Sequence, residues 1–277
     1  QNIFTLSDGG TWLFQSDGRL LRITPDEQAM ACRQILGSSH GVRRVISLVQ
    51  DKEIIWIISD KGIYKYSKEN SKLTLALSTR KHFHSFRKYA NKFIIGADNG
   101  QLYIYDPRKD DYSIMKFNTS ATLTRVKAYD SKHLLITAEN DGFFLTDGYR
   151  GEGVHYTIQN QLLSNEVNAL YVEDSQKHIW IAYKNTTMIT RIDSLGTYRK
   201  HYQLKMQKYD DSPRQISQDH DGRLWVFSKN EALNYYDEKS DEFLFFSISR
   251  TSHNSNPPKI KKIYFDKQNN LWSFGHL

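Results

Sequence analysis

The chain has 277 residues, of which 39% are hydrophobic and 13% aromatic, and it carries a formal net charge of +7 at pH 7. No apolar run approaches the roughly 20 residues that span a bilayer, so the sequence predicts no membrane helix. The single cysteine, Cys32, excludes an internal disulfide and any metal or redox motif built from several cysteines. The positive charge favours an anionic partner, with an inert Lys-rich surface as the alternative.

A short pattern recurs along the chain: an acidic or polar turn, an apolar strand with Trp or Ile at a fixed position, a polar turn and a second strand. The copies are "SDGGTWLFQ", "DKEIIWIIS", "YANKFIIGA", "DSKHLLITA", "DSQKHIWIAY", "DHDGRLWVF" and "DKQNNLWSF". The fixed position falls at Trp12, Trp56, Ile94, Ile136, Trp180, Trp225 and Trp272, at intervals of 38 to 47 residues. Seven copies at a nearly constant period indicate a repeat protein.

Each copy extends to four short strands. One strand precedes the turn, as in "RVISLVQ" and "VNALYVE", and an outer strand follows, as in Leu73 to Leu77. In the first copy "PDEQAMACRQIL" could be a helix in isolation, but in register it occupies the outer strand. Four strands in a period of about 43 residues predict an all-β fold, a β-propeller of about seven blades in one domain over 1–277. We expect the tryptophans to pack between blades rather than to bind a ligand.

The last copy stops at "LWSFGHL", after two strands. A blade without outer strands would expose an edge. We therefore expect the chain to be part of a longer polypeptide.

The repeat resembles the two-component regulator propeller repeat, V-x-x-[IL]…D-x-x-G-x-[IL]-W-[IV]-G-T…G-[IL]-x-x-Y-[DN]. The closest copies are "VNALYVEDSQKHIWIAY", "ISQDHDGRLWVF" followed by "LNYYD", and "FIIGADNGQLYIYD", and "NQLLSNEV" is similar to the segment that introduces this repeat. The Gly-Thr after the Trp strand survives only as Gly96-Ala97. The resemblance covers essentially the whole chain.

This repeat builds the periplasmic sensor region of hybrid two-component systems of gut bacteria. The resemblance implies a periplasmic, non-catalytic propeller of a sensor histidine kinase whose ligands are typically oligosaccharides. It also implies a second propeller, an immunoglobulin-like domain, a membrane helix and signalling modules elsewhere in the polypeptide.

Motifs for catalysis or metal binding are weak. "DHDG", Asp219 to Gly222, lacks the later ligands of a calcium loop and is interpreted as a turn. "HFH" places His82 and His84 two residues apart, without an evident third metal ligand. No phosphate-binding Gly-Lys motif or G-x-S-x-G elbow is found. We predict no catalytic residue, no metal and no cofactor.

In a propeller, the connections that enter the first strand of each blade surround the mouth of the central channel, and function usually lies on such loops. Here five of six such connections carry a cation. The predicted ligand-binding residues at this rim are Arg43, Arg44, His84, Arg87, Arg125, Asn165, Arg214 and Lys259. If their side chains converge they suit a carboxylated or sulfated sugar. The alternative is that they point outward and keep the face soluble.

The leading hypothesis is an extracytoplasmic propeller that senses an oligosaccharide, in one version an anionic one, for a hybrid two-component protein. Its rivals are a propeller enzyme that acts on polysaccharide, as lyase or hydrolase, and a protein-binding scaffold. Predicted partners are the oligosaccharide, the second propeller and the downstream domains, and a homodimer stays open. The basic residues are scattered, so we expect no nucleic acid.

Overall fold

The computed structural model of the chain describes residues 2–7, 9–25, 30–151, 153–160, 162–173, 175–193, 196, 198–205, 212–228, 232–246 and 259–276. Within these ranges lie 26 β-strands and one short 3-10 helix, Ser38–His40. The strands form six four-stranded sheets and one two-stranded sheet. The all-β prediction is confirmed, and Met30–Leu36 is a strand, as the repeat register predicts. No helix in these ranges has the length and apolar character needed to cross a membrane.

The chain divides into two compact units, and the first comprises residues 1–138 and 145–153. In each sheet the strands lie side by side in chain order. Sheet 1 contains β1 (Asn2–Thr5), β2 (Thr11–Phe14), β3 (Leu20–Pro25) and β4 (Met30–Leu36). Sheet 2 contains β5 (Val45–Asp51), β6 (Ile54–Ser59), β7 (Gly62–Ser67) and β8 (Lys72–Ser78). Sheet 3 contains β9 (Phe83–Tyr89), β10 (Lys92–Ala97), β11 (Gln101–Asp106) and β12 (Asp111–Lys116), and sheet 4 begins with β13 (Leu123–Ala128) and β14 (Leu134–Ala138).

The second unit comprises residues 139–144 and 154–277. The later strands of sheet 4 are β15 (Phe143–Thr146) and β16 (Val154–Tyr156). Sheet 5 contains β17 (Val167–Val172), β18 (Ile179–Tyr183), β19 (Met188–Ile192) and β20 (Arg199–Gln203). Sheet 6 contains β21 (Pro213–Gln218), β22 (Leu224–Ser228), β23 (Leu233–Asp237) and β24 (Glu242–Phe246). Sheet 7 contains β25 (Lys259–Phe265) and β26 (Leu271–His276).

The first strands of sheets 2 to 7 share a β-bulge near their start. Their antiparallel pairing with the second strand skips one residue each: Ile46, His84 and Thr124 in the first unit, and Asn168, Arg214 and Lys261 in the second. A bulge bends the strand and changes the direction of nearby side chains. The common bulge gives the repeats one register, so that equivalent positions can be compared.

This register corrects one repeat position. The third residue after each bulge lies opposite the fixed position of the second strand, as Tyr171 lies opposite Trp180. In sheet 4 the corresponding pair is Lys127 and Leu135. The prediction that Ile136 holds this position was therefore wrong by one residue, because the turns between first and second strands differ in length from sheet to sheet.

Four of the five tryptophans pack between successive sheets, as predicted, whereas Trp272 is 53% exposed. Trp12 is fully buried, and its ring centroid lies 5.9 Å from that of Tyr66 in sheet 2. Trp56 meets Tyr105 of sheet 3 at 5.6 Å, both within the first unit. Burial of an aromatic side chain removes a large apolar area from water, so these contacts carry much of the stability.

The acidic turn and the tryptophan are joined by a hydrogen bond. The indole N–H of Trp225 donates to Asp219 Oδ2 at 2.7 Å, and the backbone N–H of Arg223 donates to Asp219 Oδ1 at 2.8 Å. One carboxylate thus closes the turn and orients the indole, which explains their six-residue spacing. In sheet 5 the acceptor is Glu173, at 3.3 Å from the indole nitrogen of Trp180, whereas the predicted Asp174 lies outside the described residues.

Between sheets 5 and 6 a cation is enclosed by aromatic rings. The Arg191 guanidinium lies 5.5 Å from the centroids of Trp180 and Tyr202, and it donates to Tyr236 Oη at 3.0 Å. Both tyrosine hydroxyls also bond to Asp241 Oδ1. Burial opposes ionisation of Asp241, but hydrogen bonds from Lys200 and both tyrosines outweigh it and hold the pKa at about 2. This cluster is fully paired and is part of the scaffold.

Candidate ligand-binding site

Two buried or half-buried carboxylates hold the connections that enter β5 and β9. Asp60 Oδ1 accepts the backbone N–H groups of Arg43 and Arg44 at 3.0 and 3.1 Å. Asp98 Oδ2 accepts the backbone N–H of His82 at 3.0 Å. Both carboxylates follow the second strand of their sheet. The turns between second and third strands therefore position the connections on which the predicted ligand contacts lie.

The "HFH" histidines are tied to the same carboxylate. His84 Nε2 lies 2.6 Å from Asp98 Oδ1, and His82 Nδ1 lies 3.2 Å from Asp98 Oδ2. His82 Nε2 lies 3.0 Å from Lys61 Nζ, and an ammonium can only donate, so His82 carries its proton on Nδ1, towards Asp98. A neighbouring ammonium disfavours a metal cation. No group of three metal-ligating side chains occurs among the residues that the structure describes.

We expect the stabilisation by Asp98 to disappear in acid. Burial opposes ionisation, but the backbone N–H of His82 and the His84 imidazole outweigh it and hold the pKa of Asp98 below its ordinary 3.8. Its contribution is therefore complete above pH 3.8 and is lost as the pH falls through the lowered value. Asp98→Asn should cost about 1–3 kcal/mol at pH 6 and progressively less below pH 4. Urea unfolding of both proteins from pH 6 to 2.5 measures this; a constant difference would contradict it.

Arg44 and Arg43 have different surroundings. The Arg44 guanidinium donates to the carbonyl oxygens of Phe83 and His84 at 3.3 and 3.1 Å, so it links sheet 2 to sheet 3. The Arg43 side chain is exposed. Of the predicted rim residues, Arg44 and His84 thus have structural partners, and any ligand contact would use their remaining donors.

The first strands of sheets 3 and 4 approach closely. Ser85 Oγ donates to the carbonyl oxygen of Leu123 at 3.0 Å. A Cβ at Gly96 would lie 2.5 Å from that oxygen and 2.4 Å from Ser85 Oγ. Only glycine fits this position without a shift of its neighbours. Gly96, the remnant of the Gly-Thr pair in the repeat, therefore allows β9 and β13 to lie side by side.

Three of the four Lys and Arg residues on these two strands form what we call the cation cluster: Arg87 on β9, and Arg125 and Lys127 on β13. Residues i and i+2 of a strand share a face, so Arg125 and Lys127 project to the same side. Burial lowers the pKa of Lys127, and repulsion by Arg125 and then Arg87 lowers it further. Arg87 and Arg125 are among the ligand-binding residues predicted from the sequence, and Lys127 is not. Side chains alternate between the two faces of a strand, so the pattern "LTRVK" places Lys127 on the same face as Arg125 and could have identified it from the sequence.

Arg125 is exposed to solvent, although desolvation by the surrounding protein lowers its pKa. Within the described part of the chain, neither Arg87 nor Arg125 has a side-chain hydrogen bond or a carboxylate within 4.0 Å. The fold thus places the positive charges of Arg87, Arg125 and Lys127 near one another on two adjacent strands.

The remaining predicted residues belong to the second unit. Asn165 is half-buried, and its Oδ1 accepts the backbone N–H of Ile158 at 2.8 Å, a structural contact. Arg214 is exposed at the bulge of β21. The backbone of Lys259 begins β25, while its side chain lies outside the described residues. A single ring of all eight rim residues stays a prediction.

No protein-family model matches the chain, and no curated protein matches it by sequence. Among solved structures, the fold is similar to the extracellular domain of BT3049 from B. thetaiotaomicron, described as a hybrid two component system. The TM-score is 0.62 at 14% identity, over 99% of this chain and 38% of that one. A catalytically inactive virginiamycin B lyase from Staphylococcus aureus gives 0.66 at 12% identity, over 99% and 90%. The WD40 propeller of Doa1 gives 0.60 at 11% identity, over 99% and 88%.

These similarities show the fold. The chain is an all-β protein of the β-propeller class, as the repeat predicts, and its seven sheets correspond to blades. The seventh contains two described strands. The chain spans 38% of the length of the BT3049 domain. Its structural neighbours include the extracellular part of a two-component system, an enzyme and a WD40 domain.

Proposed function

We propose that the chain is the ligand-sensing propeller of a hybrid two-component signalling protein and that it binds an oligosaccharide in the periplasm. The observation that carries this proposal is the likeness over 99% of the chain to the extracellular domain of BT3049. The repeat motifs quoted above, which resemble those of two-component regulator propellers, support it from the sequence. In this role, ligand binding would bias a signalling region elsewhere in the polypeptide, and the propeller itself would not change its ligand chemically.

An enzyme is the second candidate, because the similarity to a propeller lyase extends over the whole chain with a TM-score of 0.66. Propeller enzymes can collect their catalytic groups from several blades, so the two functions are separated by what happens to the ligand. A sensor returns its ligand intact, whereas a lyase or hydrolase releases products.

The test is calorimetric titration with neutral and acidic oligosaccharides, followed by chromatography of the ligand after prolonged incubation. We expect one class of oligosaccharide to bind and to be recovered unchanged. Formation of shorter or unsaturated products would favour the enzyme. Failure of every oligosaccharide to bind, at concentrations up to the millimolar range typical of weak ligands, would contradict a saccharide sensor.

The proposal includes a partner region of the same polypeptide. Tyr264, Trp272 and Phe274 are 56%, 53% and 55% exposed, and Tyr264 pairs with Trp272 across β25 and β26. The corresponding Trp180 and Trp225 are buried. We propose that a further part of the polypeptide covers this aromatic face. A longer version of the protein should then shift the fluorescence of Trp272 to shorter wavelength, relative to a Trp272→Phe control.

A further inference from the structure

Sheet 7 differs from the other six sheets in its open edge. Within the described residues β26 pairs with β25 alone, whereas the second strand of every other sheet also pairs with a third strand. Trp272 and Phe274 on β26 are more than half exposed, while Trp225 and Phe227, their counterparts on β22, are buried. An open strand edge presents backbone N–H and C=O groups to which a further strand can bind. The edge of β26 is therefore a candidate docking surface.

The third strands of the other sheets show what a docked strand would carry. In three sheets, a cation of the third strand lies directly opposite the tryptophan of the second. The pairs are Trp12 with Arg22, Trp56 with Lys65 and Trp180 with Arg191. Each cation also lies over the indole ring, at 5.8, 5.6 and 5.5 Å from its centroid. Attraction between a cation and the face of an indole is strongest where both are shielded from water.

Sheet 6 obtains its cation in another way. Its third strand places Tyr235 opposite Trp225, and the Arg223 guanidinium, from the turn before β22, lies 6.0 Å from the indole centroid. Sheet 7 has the neutral Asn270 at the position of Arg223, two residues before the tryptophan. No cation lies over the Trp272 ring among the residues that the structure describes. An added third strand is thus the place from which sheet 7 could receive one.

An apolar residue accompanies each of the three cations on the third strand. It lies two positions before the cation, on the same face of the strand, and opposite the residue two positions after the tryptophan. These apolar residues are Leu20, Ile63 and Ile189, and all three are fully buried. In sheet 7 the residue two positions after the tryptophan is Phe274. A strand that fits β26 therefore carries a Leu or Ile, any one residue, and then a Lys or Arg.

We propose that β26 binds an extended segment of the same polypeptide as an antiparallel third strand, with Lys or Arg over Trp272 and Leu or Ile against Phe274. This inference rests on the proposed function, because it specifies how the partner region proposed there is recognised. The occupant is a segment that follows β26, because second and third strands are consecutive in every other sheet. A second copy of the chain that paired edge to edge would offer β26 itself, and "LWSFGH" contains neither Lys nor Arg.

The experiment adds a third and a fourth strand to the whole chain. A copy of residues 186–205, which contains β19 and β20, is fused after Leu277. The spacing between Trp180 and Arg191 is thereby kept, so the copied Arg191 falls opposite Trp272. The matched control carries Arg191→Gln in the copy only. Thermal melts are followed by circular dichroism, and Trp272→Phe in each version isolates the fluorescence of Trp272.

We expect the fused strands to raise the melting temperature and to shift the Trp272 emission to shorter wavelength. The Gln control should melt about 2–4 °C below the Arg version, as for the loss of one cation–π contact in a chain of this size. If fusion changes neither quantity, β26 does not accept a third strand and the proposal is overturned. Equal melting temperatures of the Arg and Gln versions overturn the role of the cation.

Sedimentation of the unextended chain tests the other occupant. A dimer whose formation shifts the Trp272 emission to shorter wavelength would assign the surface to a second copy and overturn the proposal. None of these measurements involves a saccharide. Failure of strand docking therefore leaves the proposed sensor standing, and failure of every saccharide to bind leaves strand docking standing.

The longer natural polypeptide supplies the last test. The tryptophan and its cation are 9 to 11 residues apart in the three sheets. We expect Lys or Arg at this distance after Trp272, with Leu or Ile two residues before it. Replacement of that cation by Gln should shift the Trp272 emission towards longer wavelength. Absence of such a cation, or an emission that ignores its replacement, would overturn the proposal.

Discussion

Replacement of Trp180 by Ala is expected to lower the free energy of unfolding by about 3–5 kcal/mol, the range for a buried aromatic side chain. Trp180 is 1% exposed, and its ring centroid lies 5.1 Å from Tyr236 and 5.4 Å from Tyr202. Its loss leaves a cavity between sheets 5 and 6. It also removes one of the rings that enclose the Arg191 guanidinium. The measurement is urea unfolding monitored by circular dichroism.

Trp272→Ala is the matched control, because Trp272 occupies the same position in sheet 7. Its side chain is 53% exposed, so little apolar area returns to water when it is removed. We expect a loss within about 1 kcal/mol, as for most substitutions of exposed residues. We infer that burial against the next sheet makes these tryptophans stabilising, and not the repeat position itself. Equal losses of stability at the two positions would contradict this.

Replacement of Gly96 by Ala should destabilise the protein. The new Cβ would lie 2.5 Å from the Leu123 carbonyl oxygen, and a backbone atom cannot move away by a side-chain rotation. Overpacking of this kind costs about 1–3 kcal/mol. The strands β9 and β13 must separate to relieve it.

Gly151→Ala is the control for this substitution. A Cβ at Gly151 would have no atom within 4 Å, and its backbone is not in the left-handed region. Alanine also restricts the unfolded chain, which stabilises by about 0.4–1 kcal/mol where the native conformation allows it. Unfolding in urea should therefore show a neutral or slightly positive effect at Gly151 and a loss at Gly96. A neutral result at Gly96 would mean that β9 and β13 are not held in close contact.

The fold was predictable from the sequence because the contacts that define the strands and turns of each repeat lie within that repeat. The hydrogen bond between Asp219 and Trp225 connects residues six positions apart, so its pattern is visible in a single copy. The lengths of the turns between first and second strands could not be predicted in the same way, since turns of different length can follow the same first strand. Because of that variation, the fixed position of sheet 4 was predicted at Ile136, whereas the structure places it at Leu135.

The candidate site was only partly predictable. Arg87 and Arg125 were found because cations near the start of a first strand can be read from the repeat. Arg44 and His84 were chosen by the same rule, yet they bond to groups in other turns or strands, the carbonyl of Phe83 and the carboxylate of Asp98. Those contacts join residues 14 to 40 positions apart, and no local pattern distinguishes them.

The sequence by itself determined the strand alternation, the repeat period and the turns, because these depend on side-chain preferences and on contacts within about ten residues. Only the tertiary structure decided which cations are paired and which are not. Pairing depends on the approach of separate sheets, as where the Arg44 guanidinium of sheet 2 reaches the carbonyl oxygens of Phe83 and His84 in sheet 3. It likewise decided that Trp180 is covered and Trp272 exposed, since an identical side chain in an identical repeat position takes its burial from the sheet that packs against it.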